Sequence, residues 1–255
     1  MRTTTAALSF VRAAAALPLI DLLELGFELC GTYRRGRGAL PTRYGVDPLL
    51  TIRRLTDFLR RNPGMHGAKQ ARRALRYLVE KAESPREAKC ALLFGLPRAL
   101  GGYGLGMPVM GHEVACTGEA YAIAETRVLR CDLYWPSARL GMEYQSRAFH
   151  EGELHRARDS RRVNALRAMG IEVVPVTDNE LESLFACDTI AQSVRQALGK
   201  RERTRVENVR ERKLRLRRQL CLPLEPRRAF DLPGEGIAGE GIAGEGIPRE
   251  GVSGE

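Results

Sequence analysis

The first third of the chain has apolar residues three or four positions apart, which is the spacing of amphipathic helices. The segments with this spacing are PLIDLLELGFEL at 18–29, PLLTIRRLTDFLRR at 48–61 and GAKQARRALRYLVEKA at 67–82. Asn62-Pro63-Gly64 interrupts the pattern between the last two segments,. We therefore predict a helical N-terminal region over residues 1–83.

A change of pattern at Ser84 marks the start of a second region. Ser84, Pro85 and Glu87 have the spacing of a capping box with proline at the first helical position, so a helix is predicted to begin here,. The Gly-rich stretch at 97–108 lacks the spacing of a phosphate-binding loop and is predicted to be a plain loop,. Residues 109–145 then alternate between apolar and polar side chains, which is typical of strands. We predict a β-meander there, with strands that include AYAIAE at 120–125 and RVLRCDLYW at 127–135.

The segments after the meander predict a helix, a strand and a second helix. The first helix spans about 150–169 and ends at Gly170,. IEVVPVT at 171–177 is nearly all apolar, like a strand that is buried on both faces,. A second helix is predicted over about 178–198. The expected fold class is therefore α/β, with an α/β domain over residues 84–198.

Two further segments follow this domain. Residues 200–218 contain ten Lys or Arg and three Glu residues, a net charge of +7. We predict a basic arm over 199–230, either a helical extension or a disordered chain; such a run binds nucleic acid or is simply solvated. Residues 231–255 contain a Gly-rich repeat of five residues, which cannot bury enough apolar surface to fold,. This tail is predicted to be disordered.

The hairpin CDLYWPSARLGMEYQS at 131–146 contains two acids, Asp132 and Glu143. They are predicted to project from the same face, because the apolar residues of both strands must face one core. A two-residue turn at Ser137-Ala138 would make the two acids direct cross-strand neighbours, ~5 Å apart at Cβ. The apolar residues assigned to the opposite face are Leu129, Cys131, Leu133 and Trp135 in the first strand and Leu140, Met142 and Tyr144 in the second.

Two carboxylates at this separation repel each other. A divalent cation would relieve the repulsion, and so would a proton shared through a raised pKa. A neighbouring arginine, Arg130 or Arg139, would relieve it as well. The hairpin alone therefore leaves a metal site, a shared proton and a structural ion pair open.

Composition narrows the choice of partner and location. The net charge of +10 and the pI of about 9.7 favour a polyanionic partner, either nucleic acid or an acidic membrane surface,. The basic run lacks a bulky apolar face for a membrane surface, and no run of 18 apolar residues could span one,. AAAALPLI at 13–20 is interpreted as part of an amphipathic helix rather than a signal peptide. The six cysteines lack zinc-ligand spacing, which predicts reduced thiols in a cytoplasmic protein,.

The order of these elements resembles the restriction-endonuclease-like fold of the PD-(D/E)XK superfamily. The detail is similar to a branch that includes very-short-patch-repair endonucleases and their uncharacterised bacterial relatives. That branch commonly reads D-x-x-W-P, then E-Y-D-x-x-x-H, then D-x-x-R and a glycine before a strand. The matching residues are Asp132, Trp135, Pro136, Glu143, Tyr144, His150, Asp159, Arg162 and Gly170. The N-terminal half also resembles uncharacterised actinobacterial proteins that carry this core, so the resemblance covers about residues 17–198.

The resemblance implies a mixed sheet flanked by helices and a metal-dependent DNA endonuclease. Asp132 and Glu143 would be the metal ligands and Glu87 a third acid, with Mg²⁺ or Mn²⁺ as the ion. Such an ion would activate water and stabilise the charge that develops on phosphate. His150 would act as a proton carrier or a phosphate contact. Nucleic-acid contacts are predicted at Arg147, Arg161 and Arg162.

Gln145 departs from the family pattern, in which lysine is usual at this place and aspartate is usual in this branch. Glutamine cannot act as a base and offers only a carbonyl oxygen or amide hydrogens. We therefore expect either a nuclease or a catalytically inactive DNA-binding protein with the nuclease fold. Simpler interpretations exist for two residues: Glu87 as part of the capping box and His150 as a polar residue at a helix start. Asp159 and Arg162 would then be an i, i+3 surface pair.

Overall fold

The computed structural model has an α/β architecture, with helices around a mixed four-stranded sheet. It describes residues 5–145, 153–201 and 206–224, and over 153–159 it describes the backbone only. The predictions that lie outside the described residues concern Arg147, His150, the side chain of Asp159 and the tail at 231–255.

The N-terminal part of the chain is mostly helical, as the apolar periodicity predicts. Its helices are α1 (Ala6–Ala13), α2 (Leu19–Cys30), α3 (Ile52–Arg61) and α4 (Ala68–Leu75). Between α2 and α3 lies a small antiparallel ribbon of two strands, β1 (Tyr33–Arg34) and β2 (Arg43–Tyr44). The helix predicted at 67–82 is shorter in the structure, because the chain turns after Arg76 and Lys81 adopts a left-handed backbone with φ 68°.

α5 (Pro85–Gly95) begins where the capping box predicts. The Ser84 Oγ accepts the backbone N–H of Glu87 at 3.2 Å, which satisfies one of the free donors at the helix start,. A single 3₁₀ turn at Arg98–Leu100 follows within the predicted loop.

The central sheet has the strand order β3-β4-β5-β6. Its strands are β3 (Val109–Ala115), β4 (Val128–Trp135), β5 (Leu140–Gln145) and β6 (Glu172–Thr177). β4 is antiparallel to both of its neighbours, β3 and β5, whereas β6 runs parallel to β5. α7 (Glu153–Ala168) provides the crossover that a parallel pair requires, and Gly170 with φ 71° turns the chain back into β6,.

α6 (Glu119–Ala124) lies where a strand was predicted, so that prediction is wrong. The alternation in AYAIAE extends over only six residues, and such a short pattern does not separate strand from helix. Three of these residues are alanine, which has the highest helix propensity,. Ala120 and Ile123 pack into the core cluster beneath α7, so tertiary packing supports the helical conformation.

The helix predicted over 178–198 is two helices, α8 (Asp178–Glu182) and α9 (Leu184–Ala197). Ser183 separates them. Its Oγ accepts the backbone N–H of Ala186 at 3.2 Å, so Ser183 is the N-cap of a new helix,.

Two clusters of buried apolar side chains hold these elements together. The larger cluster combines the N-terminal helices, one face of the sheet and the C-terminal helix, with members such as Phe10, Phe27, Phe94, Trp135 and Leu216. The smaller cluster lies between the other face and α6 and α7, and its members include Leu129, Cys131, Tyr134, Ala165 and Leu166. Among the described ranges, no helix has the length and apolarity needed to cross a bilayer,.

Part of the predicted basic arm is a docked helix, α10 (Val209–Gln219). Leu216 and Arg217 are buried in it. The Arg217 guanidinium donates to the carbonyl oxygens of Leu181 at 3.2 Å and Pro223 at 2.7 Å. Of the two alternatives that the sequence leaves open, the helical extension is therefore correct for this segment.

The close approach of α10 to the Gly-rich loop gives a first prediction. A Cβ at Gly101, which has φ 92°, would lie 2.2 Å from the carbonyl oxygen of Arg212 in α10. Gly101→Ala is therefore expected to lower the free energy of unfolding by about 2 kcal/mol more than a control, measured by urea denaturation. Gly104→Ala is the matched control, because Gly104 also has a positive φ of 72° but its nearest neighbour would be 3.6 Å away. Equal losses in the two variants would contradict the close docking of α10.

Candidate acidic centre

β4 changes the direction of its side chains at Asp132. The ladder pairs of β4 with β3 on the two sides of this residue are Leu133 with Met110 and Cys131 with His112. In β3, Gly111 lies between Met110 and His112 and has φ 54°, so β3 bends opposite Asp132. The Asp132 Oδ2 accepts a hydrogen bond from the backbone N–H of Tyr144 at 2.9 Å. In a regular ladder a backbone carbonyl oxygen of β4 would accept this N–H. The Asp132 side chain therefore points toward β5.

This bend overturns the predicted face assignment of β4. Leu133 and Trp135 belong to the larger core cluster, whereas Leu129 and Cys131 belong to the smaller one on the α7 side. The prediction that all four share one face is therefore wrong, because strict alternation does not continue through a bent strand. The predicted register beyond the bend is confirmed, with Leu133 paired to Met142 and Trp135 to Leu140.

Asp132 and Glu143 meet at one guanidinium group. The Arg162 Nη2 donates to the Glu143 Oε2, lies 3.7 Å from the Asp132 Oδ1 and also donates to the carbonyl oxygen of Arg130. Glu143 exposes 6% of its side chain, against 20% for Asp132 and 33% for Arg162. The two carboxylates thus lie together, and the group opens to solvent beside Asp132 and Arg162. We call these three side chains, with Glu87, the acidic centre.

The arginine that neutralises the pair is not one of the two that the sequence suggested. Arg130 forms an ion pair with Glu83. Arg139 donates to the carbonyl oxygens of Met169 at 2.5 Å and Gly170 at 3.2 Å. Arg162 reaches the acids because α7 crosses back over the sheet between the parallel strands β5 and β6.

Glu87 lies close enough to Asp132 for the charge of Asp132 to raise its pKa. Its two oxygens are nevertheless engaged at the start of α5. The Oε2 accepts the backbone N–H of Glu83 at 3.0 Å, and the Oε1 accepts the hydroxyl of Ser84 at 2.8 Å. Glu87 therefore has the capping role that the simpler interpretation gave it, and it also brings a third carboxyl group to the acidic centre.

Burial makes the charged forms of these acids costly. Desolvation, followed by the charge of Asp132, raises the pKa of Glu87 and of Glu143 to about 8,. Desolvation also raises the pKa of Asp132, although the nearby Arg162 opposes the rise. The Glu143 Oε1 is buried and makes no well-formed hydrogen bond, although the Cys131 thiol and the backbone N–H of Asp132 lie close enough to lower the pKa of Glu143 and so oppose part of the rise. An additional proton or cation would therefore be stabilised at this oxygen.

The donor set fits a divalent cation that keeps most of its water. Within the described residues, no group of three His, Cys, Asp or Glu side chains is arranged to hold a metal ion. Asp132, which is partly open to solvent, and the unpaired Oε1 of Glu143 remain as two carboxylate donors. Mg²⁺ is commonly bound by one or two carboxylates together with water and phosphate oxygens. Asp132 and Glu143 supply the two carboxylates that such a hydrated ion needs.

The structure places the other predicted site residues as follows. Gln145 is half-buried at the end of β5, opposite Thr177 of β6, and alternation puts it on the side of Glu143. Arg161, a predicted nucleic-acid contact, forms an ion pair on the protein surface, with its Nη1 2.9 Å from the Glu125 Oε2.

Two contacts in and beside the acidic centre were missed from sequence. The Tyr144 hydroxyl, assigned to an apolar face, donates to the Asp178 Oδ1 at 2.5 Å and so ties β5 to the start of α8. The Arg162 bond to Glu143 was missed as well, although both residues carry the family resemblance. Recognition that β5, α7 and β6 form a parallel crossover would have placed the inner face of α7 against β5.

Comparison with known proteins finds two similar proteins, but their names indicate no activity. No family model matches the chain, and no solved structure matches it significantly. Two proteins of Mycobacterium tuberculosis are similar to it: Uncharacterized protein MT2308 of strain CDC 1551 / Oshkosh and Uncharacterized protein Rv2248 of strain ATCC 25618 / H37Rv. Each is 31% identical over 121 residues, which are 46% of this chain and 39% of the relative. The matched segment thus spans about two fifths of the length of these relatives.

Proposed function

We propose that this chain is a divalent-cation-dependent nuclease that hydrolyses phosphodiester bonds in DNA through Asp132 and Glu143. The observation that carries the proposal is the convergence of two carboxylates, Glu143 buried and Asp132 half-buried, beside an opening to solvent, with one Glu143 oxygen that makes no well-formed hydrogen bond. Buried acids at such a position are candidates for a functional site, because their charged forms need a specific counter-charge. The net charge of +10 supports a polyanionic substrate,.

Each side chain of the acidic centre has a defined part in this proposal. Asp132 is held toward β5 by the N–H of Tyr144, and Glu143 meets it at Arg162 through Oε2, while its Oε1 is buried. Mg²⁺ or Mn²⁺, when bound, would supply a polarised water and stabilise charge on phosphate. Arg162 can exchange its contact with Glu143 for a phosphate oxygen, since guanidinium binds both groups in the same geometry. The Gln145 amide can orient a water molecule but cannot accept a proton from it.

The cytoplasm is the proposed location of this activity. All six cysteines are free thiols in the structure, and five of them are buried. Reduced thiols are typical of proteins in reducing compartments.

A second candidate function is DNA binding without hydrolysis. Two observations favour it: Arg162 already neutralises Glu143, and Gln145 stands where the resembling nucleases have lysine or aspartate. Both oxygens of Glu87 are also occupied by the start of α5. In this alternative the acidic centre is a structural ion pair and the fold is a scaffold for basic side chains.

A plasmid-nicking assay with Mn²⁺ and with Mg²⁺ tests the proposal. We expect the wild type to nick plasmid DNA and EDTA to stop it. Gln145→Lys is expected to raise the rate by about tenfold or more, because the added cation stabilises charge near phosphate. Gln70→Lys, which adds the same charge at another half-buried position on α4, is the matched control and should leave the rate unchanged.

Two results would decide against hydrolysis. If the wild type and Gln145→Lys both bind duplex DNA in a salt-dependent way but neither nicks it with Mn²⁺, the second candidate function holds. If neither protein binds DNA at low salt, both candidates fail.

A further inference from the structure

A second, positively charged site lies away from the residues of the acidic centre. A cavity of about 690 Å³ is bounded by the 3₁₀ turn after α5, the C-terminal end of α9 and the residues that follow it. None of its lining residues is acidic. The polar and charged residues among them are Arg98, Tyr103, Arg195, Lys200 and Arg201. We call this cavity the basic cleft.

Glycines keep the walls of the basic cleft open. Gly104 and Gly199 have φ values of 72° and 61°, and a Cβ at Gly199 would meet no atom within 4 Å. Their N–H groups are already bonded, to the carbonyl oxygens of Leu96 at 2.8 Å and Gln196 at 2.9 Å. An anion in the cleft would therefore be recognised by side chains and not by a nest of backbone amides.

The cationic side chains are positioned by main-chain carbonyls. The Arg195 Nη2 donates to the carbonyl oxygen of Tyr103 at 2.9 Å, and the Lys200 Nζ donates to that of Leu105. The carbonyl bond of Lys200 orients its side chain without cancelling the charge. Within the described ranges, Lys200 and Arg201 have no acidic partner, and both are exposed. Burial and the charge of Arg195 lower the pKa of Lys200, as expected where like charges are held together,.

A smaller neighbouring cavity of about 280 Å³ shows the opposite arrangement. There Asp188 accepts the hydroxyl of Tyr103 at 2.6 Å and the Nζ of Lys213 at 2.7 Å. The lysine charge is therefore balanced by a carboxylate in that cavity. Among the described residues, the positive charges at the basic cleft that have no carboxylate partner are those of Lys200 and Arg201.

We propose that the basic cleft binds phosphate groups of a nucleic-acid backbone, at a site separate from the residues of the acidic centre. Lys and Arg side chains in an open, glycine-walled cleft can approach successive phosphates, and such contacts fix the register of a bound duplex without reading its sequence. The inference rests on the proposed nucleic-acid partner but requires no hydrolysis. It also gives a role to the Gly-rich loop, which was predicted to be a plain loop, and to the start of the basic run, for which the sequence left nucleic-acid binding and simple solvation open.

The test is duplex binding in the presence of EDTA, where no cleavage can occur. We expect the double variant Lys200→Gln, Arg201→Gln to weaken the binding of a labelled DNA duplex at least tenfold, measured by fluorescence anisotropy at several salt concentrations. The slope of log affinity against log salt should fall by about 2, one for each lost phosphate contact. Arg53→Gln, Arg54→Gln on the exposed face of α3 is the matched control and should change affinity less than threefold.

Three outcomes decide the proposal. A loss confined to the cleft variant, with Mn²⁺ affinity of the acidic centre retained, supports it even if hydrolysis is never detected. Equal losses in the cleft and α3 variants would overturn it, since the binding would then follow overall charge. The proposal would also be overturned if inorganic phosphate or a nucleotide saturates the cleft while the cleft variant binds the duplex with wild-type affinity. That result would assign the cleft to a small phosphorylated molecule.

Discussion

Asp132→Asn is expected to abolish calorimetrically detectable Mn²⁺ binding and to reduce DNA nicking by about 10²- to 10³-fold. The substitution removes one negative charge while it keeps the size of the side chain. Its amide oxygen can still accept the N–H of Tyr144, so the bend in β4 is expected to persist. The loss therefore reports the ligand role of Asp132 and not a loss of the fold.

The control for this experiment is Asp57→Asn, an aspartate on α3 that pairs with Arg60 at 3.0 Å on the surface. It should bind Mn²⁺ as the wild type does. Thermal unfolding of all three proteins checks that each is folded. Undiminished Mn²⁺ binding by Asp132→Asn would place the cation elsewhere and would remove the basis of the nuclease proposal.

The free energy of unfolding is expected to fall as the pH rises from about 5 to about 8. Burial raises the pKa of Glu87 and Glu143 to about 8 in the folded chain, from the ordinary value of 4.5 for a glutamate. Between these two pH values the folded state binds more protons than the unfolded state, so stability decreases with pH. The slope for one such site is roughly 1.4 kcal/mol per pH unit. Both sites feel the charge of Asp132, so their contributions do not simply add,.

Urea denaturation at a series of pH values measures this slope. Glu143→Gln should make it shallower, because glutamine stays neutral over the whole range. Glu172→Gln, at an exposed position on β6, is the control and should keep the wild-type slope. Mn²⁺ should restore stability at pH 8 more than at pH 5, since it competes with protons for the same oxygens. An unchanged slope in Glu143→Gln would show that this carboxyl does not hold a proton in the folded chain.

Local signals in the sequence predicted the elements that local interactions determine. The capping box at Ser84 correctly places the start of α5, and the predicted register of β4 against β5 is also correct, although the connection is a 3₁₀ turn at Pro136–Ala138 followed by a left-handed Arg139 and not a two-residue turn. Both depend on residues that lie within a few positions of one another in the chain. The segment AYAIAE was wrongly assigned to a strand, because a pattern of six residues fits a helix as well as a strand when the residues that pack against it are unknown.

The acidic centre was only half determined by the sequence. Alternation along the hairpin predicted that Asp132 and Glu143 would lie together, and the structure brings both to one nitrogen of Arg162. Three other features depend on how α7, β3 and α5 pack. Arg162 pairs with the two acids, β4 bends at Asp132, and both oxygens of Glu87 accept hydrogen bonds at the start of α5. Local periodicity contains no information about such packing.

By itself the sequence determined the α/β class, the helical N-terminal part, the start of α5 after Ser84 and the excess of positive charge, because these follow from composition, short-range periodicity and capping,. Only the tertiary structure decided which charges are compensated. It pairs Arg162 with Glu143, docks α10 into the core and brings the Gly-rich loop beside Lys200 and Arg201. The physical reason is that the cost or benefit of a charge depends on its burial and its partners, and these are set by contacts between residues far apart in the chain.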